Sequence, residues 1–266
     1  SYALTSRGHV YAWGQREEGA LGIHTDDDST QPLNITEQFR LAPDETIERI
    51  QAANGRAYVL TRDGKLYAWG RNTAGELNGE AGRNMQTPTD VTSAYVDADA
   101  SITNIITGLD TLYVFNSNNE LCINQGKGDE VKCKVTPFDG TDEAETKMSA
   151  NSDGILITTG TGDEKNVYAW GTNTYGLFGS SSDDDHVDIE IINTPPVASS
   201  QALAMNDTSA CSIRDDNTVY CWGRVAHETS EANFNEDTNQ DGLNIHDGRD
   251  MPIYFIDEGM TTALIN

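Results

Sequence analysis

Short apolar runs recur in pairs along the chain, each pair split by a polar turn. Tyr2-Ala3-Leu4-Thr5 and Val10-Tyr11-Ala12-Trp13 flank Ser6-Arg7-Gly8, and Ala57 to Thr61 and Leu66 to Gly70 flank Arg62-Asp63-Gly64-Lys65. Leu112 to Phe115 and Glu120 to Ile123 flank Asn116 to Asn119. Gly154 to Thr158 leads through Gly162 and Asp163 to Val167 to Gly171, and Ser209 to Ile213 leads through Arg214 to Asn217 to Thr218 to Gly223. Paired β-prone runs around a Gly- or Asn-rich turn predict hairpins, and Asp-Gly in the second pair is a strong signal for one.

The second member of each pair is one phrase repeated. It reads Val10-Tyr11-Ala12-Trp13-Gly14, Leu66-Tyr67-Ala68-Trp69-Gly70, Val167-Tyr168-Ala169-Trp170-Gly171 and Val219-Tyr220-Cys221-Trp222-Gly223, with an eroded copy at Leu121-Cys122-Ile123-Asn124. After the phrase come Gly19-Ala20-Leu21-Gly22, Gly75-Glu76-Leu77 and Gly176-Leu177-Phe178-Gly179. Pro32, Pro88, Pro195 and Pro252 mark a further short strand, and Ile47 to Ala53 and Ile102 to Gly108 mark another. The repeats fall at about 1–52, 53–108, 109–152, 153–206 and 207–260, and 261–266 aligns with residues 1–6 as the start of a sixth. That phase reads as a cut through a longer array.

Each period thus supplies about four strands, and one small sheet cannot bury both faces alone. Stacked four-stranded sheets predict an all-β chain, a β-propeller domain or part of one over residues 1–266. The Tyr and Trp of each phrase are two apart and share a face. Trp13, Trp69, Trp170 and Trp222 are therefore expected in the core between sheets rather than around a ligand.

Leu66-Tyr67-Ala68-Trp69-Gly70-Arg71-Asn72 with Gly75 and Leu77, preceded by Gly55 and Val59-Leu60-Thr61, resembles the repeat of the regulator of chromosome condensation family. The Cys211-to-Cys221 hairpin resembles the secreted bacterial branch of that family. The resemblance implies a propeller, usually of seven blades.

Composition narrows the partners. A formal net charge of −26 makes nucleic acid and anionic lipid surfaces poor partners. No apolar run reaches membrane-spanning length, and membrane insertion is not expected. The four cysteines form two local pairs, Cys122 with Cys133 and Cys211 with Cys221, each bracketing a turn-rich stretch between strand-like ends. This predicts two cross-strand disulfides and an oxidising compartment, extracellular or at the cell surface.

The long polar stretch Ala226 to Asp250 contains Asp237-Thr238-Asn239-Gln240-Asp241-Gly242-Leu243. Oxygen donors at positions 1, 3 and 5, Gly at 6 and a backbone carbonyl at 7 match the opening of an EF-hand loop. Position 12 is Gly248, so Asp247 or Asp250 would have to supply the missing carboxylate. A calcium site at Asp237, Asn239, Asp241, Leu243 and Asp247 is the expectation, with Asp26-Asp27-Asp28 and Asp183-Asp184-Asp185 as weaker acidic runs. No other cofactor is required. His9, His24, His186, His227 and His246 are scattered, and no nucleophile–base spacing points to an enzyme. Asn34-Ile35-Thr36 and Asn206-Asp207-Thr208 fit glycosylation sequons.

The expected function is a non-enzymatic, extracellular binding or adhesion module of a larger surface protein. Its partner would be an extracellular protein or glycan, alongside further repeats of the same polypeptide. The resemblance also implies two alternatives: a secreted inhibitor similar to the β-lactamase-inhibitory propellers, or a guanine nucleotide exchange factor. The charge and the paired cysteines argue against the second.

Overall fold

A computed structural model describes residues 1–25, 27–127, 131–138, 146–159, 166–173, 177–178, 187–191, 200–207, 209–214, 219–223 and 253–254. Of residues 187–191, 200–202, 214, 219–223 and 253–254 it describes the backbone alone. The chain divides into two compact units, 1–143 and 144–266.

In the first unit, β1 (Tyr2–Leu4), β2 (Val10–Gly14) and β3 (Ser29–Asn34) form one antiparallel sheet. β4 (Ile47–Ala53), β5 (Arg56–Thr61), β6 (Leu66–Gly70) and β7 (Met85–Asp90) form the second, in that spatial order. β8 (Ile102–Thr107), β9 (Leu112–Asn116), β10 (Glu120–Asn124) and β11 (Lys132–Val135) form the third. The second unit repeats the order with β12 (Lys147–Ala150), β13 (Gly154–Thr159), β14 (Asn166–Gly171) and β15 (Val187–Ile191). Its other sheet is β16 (Ser200–Met205), β17 (Ser209–Arg214), β18 (Val219–Gly223) and β19 (Ile253–Tyr254). The fold is all-β, and the predicted hairpins form the middle of the four-stranded sheets, while β1 and β2 stand at one side of the three-stranded first sheet. Each sheet from the second onward takes its first strand from the end of the preceding sequence period: β4 closes the period 1–52 yet pairs with β5.

The pleat explains where the cores lie. Ala57, Val59, Tyr67 and Trp69 share one face of the second sheet and pack with Val10, Ala12, Leu21, Ile35 and Phe39 of the first. The opposite face presents Tyr58, Leu60, Leu66 and Ala68 to Ile102, Ile105, Leu112, Val114 and Cys122 of the third. β5 and β6 are buried along their whole length because both their faces are covered. In the second unit, Leu156, Val167, Ala169, Leu177 and Phe178 meet Ala210, with Leu203 and Met205 alongside.

The glycine that ends the phrase has a steric cause. Gly70 has φ +100°, and a Cβ there would stand 2.2 Å from the Gly55 carbonyl oxygen. The hydrogen bond from Arg71 N–H to that carbonyl, at 3.1 Å, holds the two turns together. In the third sheet the connection between its first two strands is longer, Gly108 to Thr111, and Gln125 follows Asn124 where Gly70 follows Trp69.

The Asn34-Ile35-Thr36 sequon is a corner of the fold. Asn34 Oδ1 accepts from Thr36 N–H (3.0 Å) and Thr36 Oγ1–H (2.7 Å), while Thr36 Oγ1 accepts from Val10 N–H at 2.9 Å. Asp90 and Thr92 make the same three bonds with Leu66 N–H. The repeat therefore accounts for the tripeptide without a glycan.

Candidate protein-interaction surface

The turns that follow the Trp-Gly phrases carry the most elaborate polar network among the described residues. In the second sheet, Asn72 Oδ1 accepts from Leu77 N–H at 2.9 Å, which folds Arg71 to Leu77 into a compact loop. Asn173 Oδ1 accepts from Phe178 N–H at 2.9 Å in the corresponding loop of the second unit.

The carbonyl inside this loop is gripped from two sides. Tyr58 Oη–H donates to Glu76 O at 2.8 Å, and Asn124 Nδ2–H donates to Glu76 O at 3.2 Å and to Gly75 O at 3.0 Å. One sheet earlier, Tyr2 Oη–H and Trp69 Nε1–H both donate to Ala20 O, the latter at 3.1 Å. Asn124 thus occupies the place of a Trp and keeps the Trp's hydrogen bond. Burial pushes the phenols of Tyr58 and Tyr95 well up, and that of Tyr2 to about 12.

Around Glu76 the loops of the second and third sheets converge. Arg71 Nε–H donates to Glu76 Oε1 at 2.8 Å, and Ala74 N–H donates to Glu76 Oε2 at 2.8 Å. Asp110 Oδ1 accepts from Asn54 Nδ2–H (2.7 Å), Arg71 Nη2–H (3.0 Å) and Arg56 Nη2–H (3.4 Å). Arg56, only 2% exposed, also donates through Nη2 to the carbonyl of Leu109. Its Nη1 is buried with no hydrogen-bond partner. Leu109 is 52% exposed; it and Val135 are the exposed large hydrophobic residues among those described. Arg56, Asn54 and Ala52 also border an open cleft of about 730 Å³, lined further by Tyr2, Trp13 and Ile50. Two arginines and two carboxylates balance locally, so this surface carries fixed polar groups and one apolar tip rather than a strong field of either sign.

At the other ends of the same strands, Lys65 Nζ donates to Glu45 Oε2 at 3.1 Å, and Glu45 is buried. This pairing, with burial acting against it, raises the Lys65 ammonium above its ordinary value.

The residues singled out from sequence are distributed as follows. Trp69 is fully buried, edge-on to Tyr2 and Phe39 at centroid distances of 5.6 and 5.5 Å. Trp170 is buried, and Trp13 is half-buried beside the cleft. Trp222 lies in β18, where the backbone alone is described. Cys122 and Cys133 are joined by a disulfide across β10 and β11, where they are directly opposed. Cys211 is disulfide-bonded and stands opposite Cys221 in the ladder of β17 and β18. Asp237, Asn239, Asp241, Leu243, Asp247 and Asp250 lie outside the described residues, as do Asp26, Asp183-Asp184-Asp185, His186, His227 and His246. Asp28 Oδ1 accepts from Arg16 N–H at 2.9 Å, a loop bond that uses one of its ligand oxygens. His9 and His24 are exposed. Among the described residues, the one group with metal-ligand spacing is Glu120, Cys122 and Cys133, and the disulfide occupies both sulfurs.

Sequence reading did not find the Arg56–Asp110–Arg71 network, because its members come from three different turns. One signal for it was present: Arg56 stands in a strand otherwise apolar up to Thr61.

The Regulator of chromosome condensation (RCC1) repeat matches residues 53–76. The chain is 26% identical to human E3 ubiquitin-protein ligase HERC2 over 238 residues, which cover 83% of the chain and 5% of HERC2. It is 23% identical over 230 residues to the ultraviolet-B receptor UVR8 of Arabidopsis thaliana, covering 84% of the chain and 50% of UVR8. The crystal structure of Prp20p from Saccharomyces cerevisiae superposes with a TM-score of 0.67 at 19% identity, covering 95% of the chain and 61% of Prp20p. The same yeast protein, RCC1 (Prp20), has been solved bound to Kap60, and there the TM-score is 0.65 at 19% identity, with 84% of the chain and 54% of the relative covered. The chain spans less than two-thirds of each of these relatives. The fold is that of the RCC1-type β-propellers.

Proposed function

We propose that this chain, a protein of RCC1-type repeats, is an extracellular, non-enzymatic protein-binding module that forms part of a larger polypeptide. The fold class supports a protein-interaction module, since the solved yeast relative is described with Kap60, Gsp1p and histones as its binding partners. The observation that carries the reading is the braced loop surface around Asp110: fixed polar groups and an exposed apolar residue on a rigid scaffold are what a recognition surface needs. The partners of the yeast protein are not carried over to this chain. A net charge of −26 opposes contact with DNA phosphate, and the Cys122–Cys133 disulfide favours an oxidising compartment.

Calcium, bound by Asp237, Asn239, Asp241, Leu243 and Asp247, would order the polar stretch 226–250. Thermal melting with calcium and with a chelator tests this: the reading expects a raised midpoint with the metal, abolished by Asp241→Ala. An unchanged midpoint removes calcium from the function.

Location and binding are tested together in the native source. The expected result is a protease-accessible, surface-exposed polypeptide, oxidised at both cysteine pairs, that cross-links to another surface protein or glycoprotein. Recovery of the reduced chain from an intracellular fraction would overturn the extracellular reading and reopen the exchange-factor alternative. A stand-alone protein that inhibits a secreted enzyme would favour the inhibitor alternative.

A further inference from the structure

We infer that Leu109 and Asp110 form a rigid two-residue anchor for a partner protein whose surface offers an apolar pocket rimmed by Lys or Arg. This rests on the reading of the chain as a protein-binding module and names the contact surface.

A solitary exposed leucine is ordinary. This one is held unusually. The turn that carries it, Gly108 to Thr111, is longer than its counterpart Asn54-Gly55 in the second sheet, and Gly108 N–H closes it on Thr111 O at 2.8 Å. The extra length projects the tip outward, and Leu109 is 52% exposed. Three side chains of the neighbouring sheet then hold the tip from behind. Arg56 donates to the Leu109 carbonyl, while Asn54, Arg71 and Arg56 all converge on Asp110 Oδ1.

Burying Arg56 is costly, and its Nη1 is left without a partner, so the arrangement is not what stability alone selects. What it achieves is a fixed backbone at the tip. An apolar side chain carried on a fixed backbone loses less entropy on binding than one on a mobile loop, which favours an anchor that dominates an interface.

The cluster itself is balanced, so the partner's chemistry follows from the open edge of Asp110 and from the charge of the whole chain. All three donors meet Asp110 at Oδ1, and its side chain is still 49% exposed, so an edge of the carboxylate remains open to solvent. A chain of net charge −26 draws in cationic surfaces over long range. A leucine beside a half-exposed carboxylate therefore fits an apolar pocket with a basic rim.

The test uses the full chain, oxidised, as bait for a random cyclic-peptide display library. Two variants serve as controls: Leu109→Arg, and Val135→Arg at the other exposed apolar position of the same unit. Each is first checked for an unchanged melting midpoint. The expected outcome is enrichment of peptides combining aliphatic or aromatic residues with Lys or Arg. Their binding falls roughly thirtyfold or more with Leu109→Arg and stays unchanged with Val135→Arg, and Asp110→Asn weakens binding mainly through faster dissociation, with the salt dependence of the association rate lowered but not abolished. Enriched peptides that bind Leu109→Arg as well as the parent chain would overturn the anchor while leaving the binding-module reading intact. A library that yields no binder to the parent chain would count against both.

Discussion

Two sheet-to-sheet interfaces of the first unit solve one problem with different chemistry. Between the first and second sheets, Trp69 and Tyr2 reach the Ala20 carbonyl, and Phe39 closes the gap edge-on to Trp69 and Tyr67. Between the second and third, Asn124 and Tyr58 reach the Glu76 carbonyl, and Tyr95, in the position of Phe39, donates to Leu77 O at 2.8 Å. Tyr95 Oη also accepts from Asn124 Nδ2–H at 3.0 Å. A large apolar pair, Phe39 and Trp69, is exchanged for a polar pair, Tyr95 and Asn124. The acceptor is constant and the donors vary, so what the repeat preserves is the hydrogen bond to the loop carbonyl rather than the aromatic itself. The polar version carries a disulfide, with Cys122 buried where Tyr67 stands one sheet earlier.

The comparison breaks most sharply at Trp69. Trp69→Ala removes the largest buried ring and its donor, with an expected loss of about 3–5 kcal/mol, read by denaturant unfolding of the first unit. A loss below about 1 kcal/mol would mean that the aromatic interface is not what holds these sheets.

The disulfide should matter next. Opening Cys122–Cys133 by the double change to Ser is expected to cost about 2–4 kcal/mol, because β11 is an edge strand whose side chains are all exposed. The same unfolding measurement on the oxidised parent chain and the oxidised double variant checks this.

Alkali separates the two interfaces. The Tyr2 phenol, ordinarily at 10.0, is held up to about 12 by burial, so the folded state keeps its proton more tightly than the unfolded one. Its contribution to stability is intact below pH 10 and is lost as pH rises through about 12. Tyr58 and Tyr95 are pushed further in the same direction. Of these three phenols Tyr2 should therefore ionise first, and Tyr2→Phe should flatten the part of the stability loss that sets in as pH approaches about 12.

At the polar interface, Asn124→Leu removes one of two donors from each of the Gly75 and Glu76 carbonyls and takes the acceptor from Gly126 N–H, and is expected to cost about 1–3 kcal/mol. Asn124→Trp overpacks against Tyr95. Adding Tyr95→Phe and Asn78→Gly, which copies the first interface, should recover part of that loss, and a mutant cycle reads the coupling. The smallest effect is expected for Asn34→Asp. Asp90 already makes the same corner bonds one sheet later, and the change should stay within about 0.5 kcal/mol.

That triple exchange shows how much was readable beforehand. Hairpins, strand order within the middle of each sheet and the cysteine pairs are local in sequence, and the repeated phrase makes them plain. The replacement of Trp by Asn124 was visible but looked like erosion. Its real correlate lies one period earlier. A Cβ at Gly22 would stand 2.8 Å from Trp69 Nε1, whereas Asn78 occupies the Gly22 position beneath Asn124. Glycine three residues after the loop start belongs with a Trp in the next copy, as Gly179 and Trp222 again show in sequence. The Asp110 network was not legible for the same reason: its residues meet only after neighbouring sheets stack.

The offset between sequence period and sheet has a consequence for how such a chain grows. Because β4 ends one period and pairs with the next, every join between copies falls inside a hydrogen-bonded ladder rather than in the gap between ladders. A gene duplicated by whole periods therefore adds material already stitched to its neighbours on both sides, as overlapping courses lock a wall. A duplication cut at sheet boundaries would add a block attached only by its side chains.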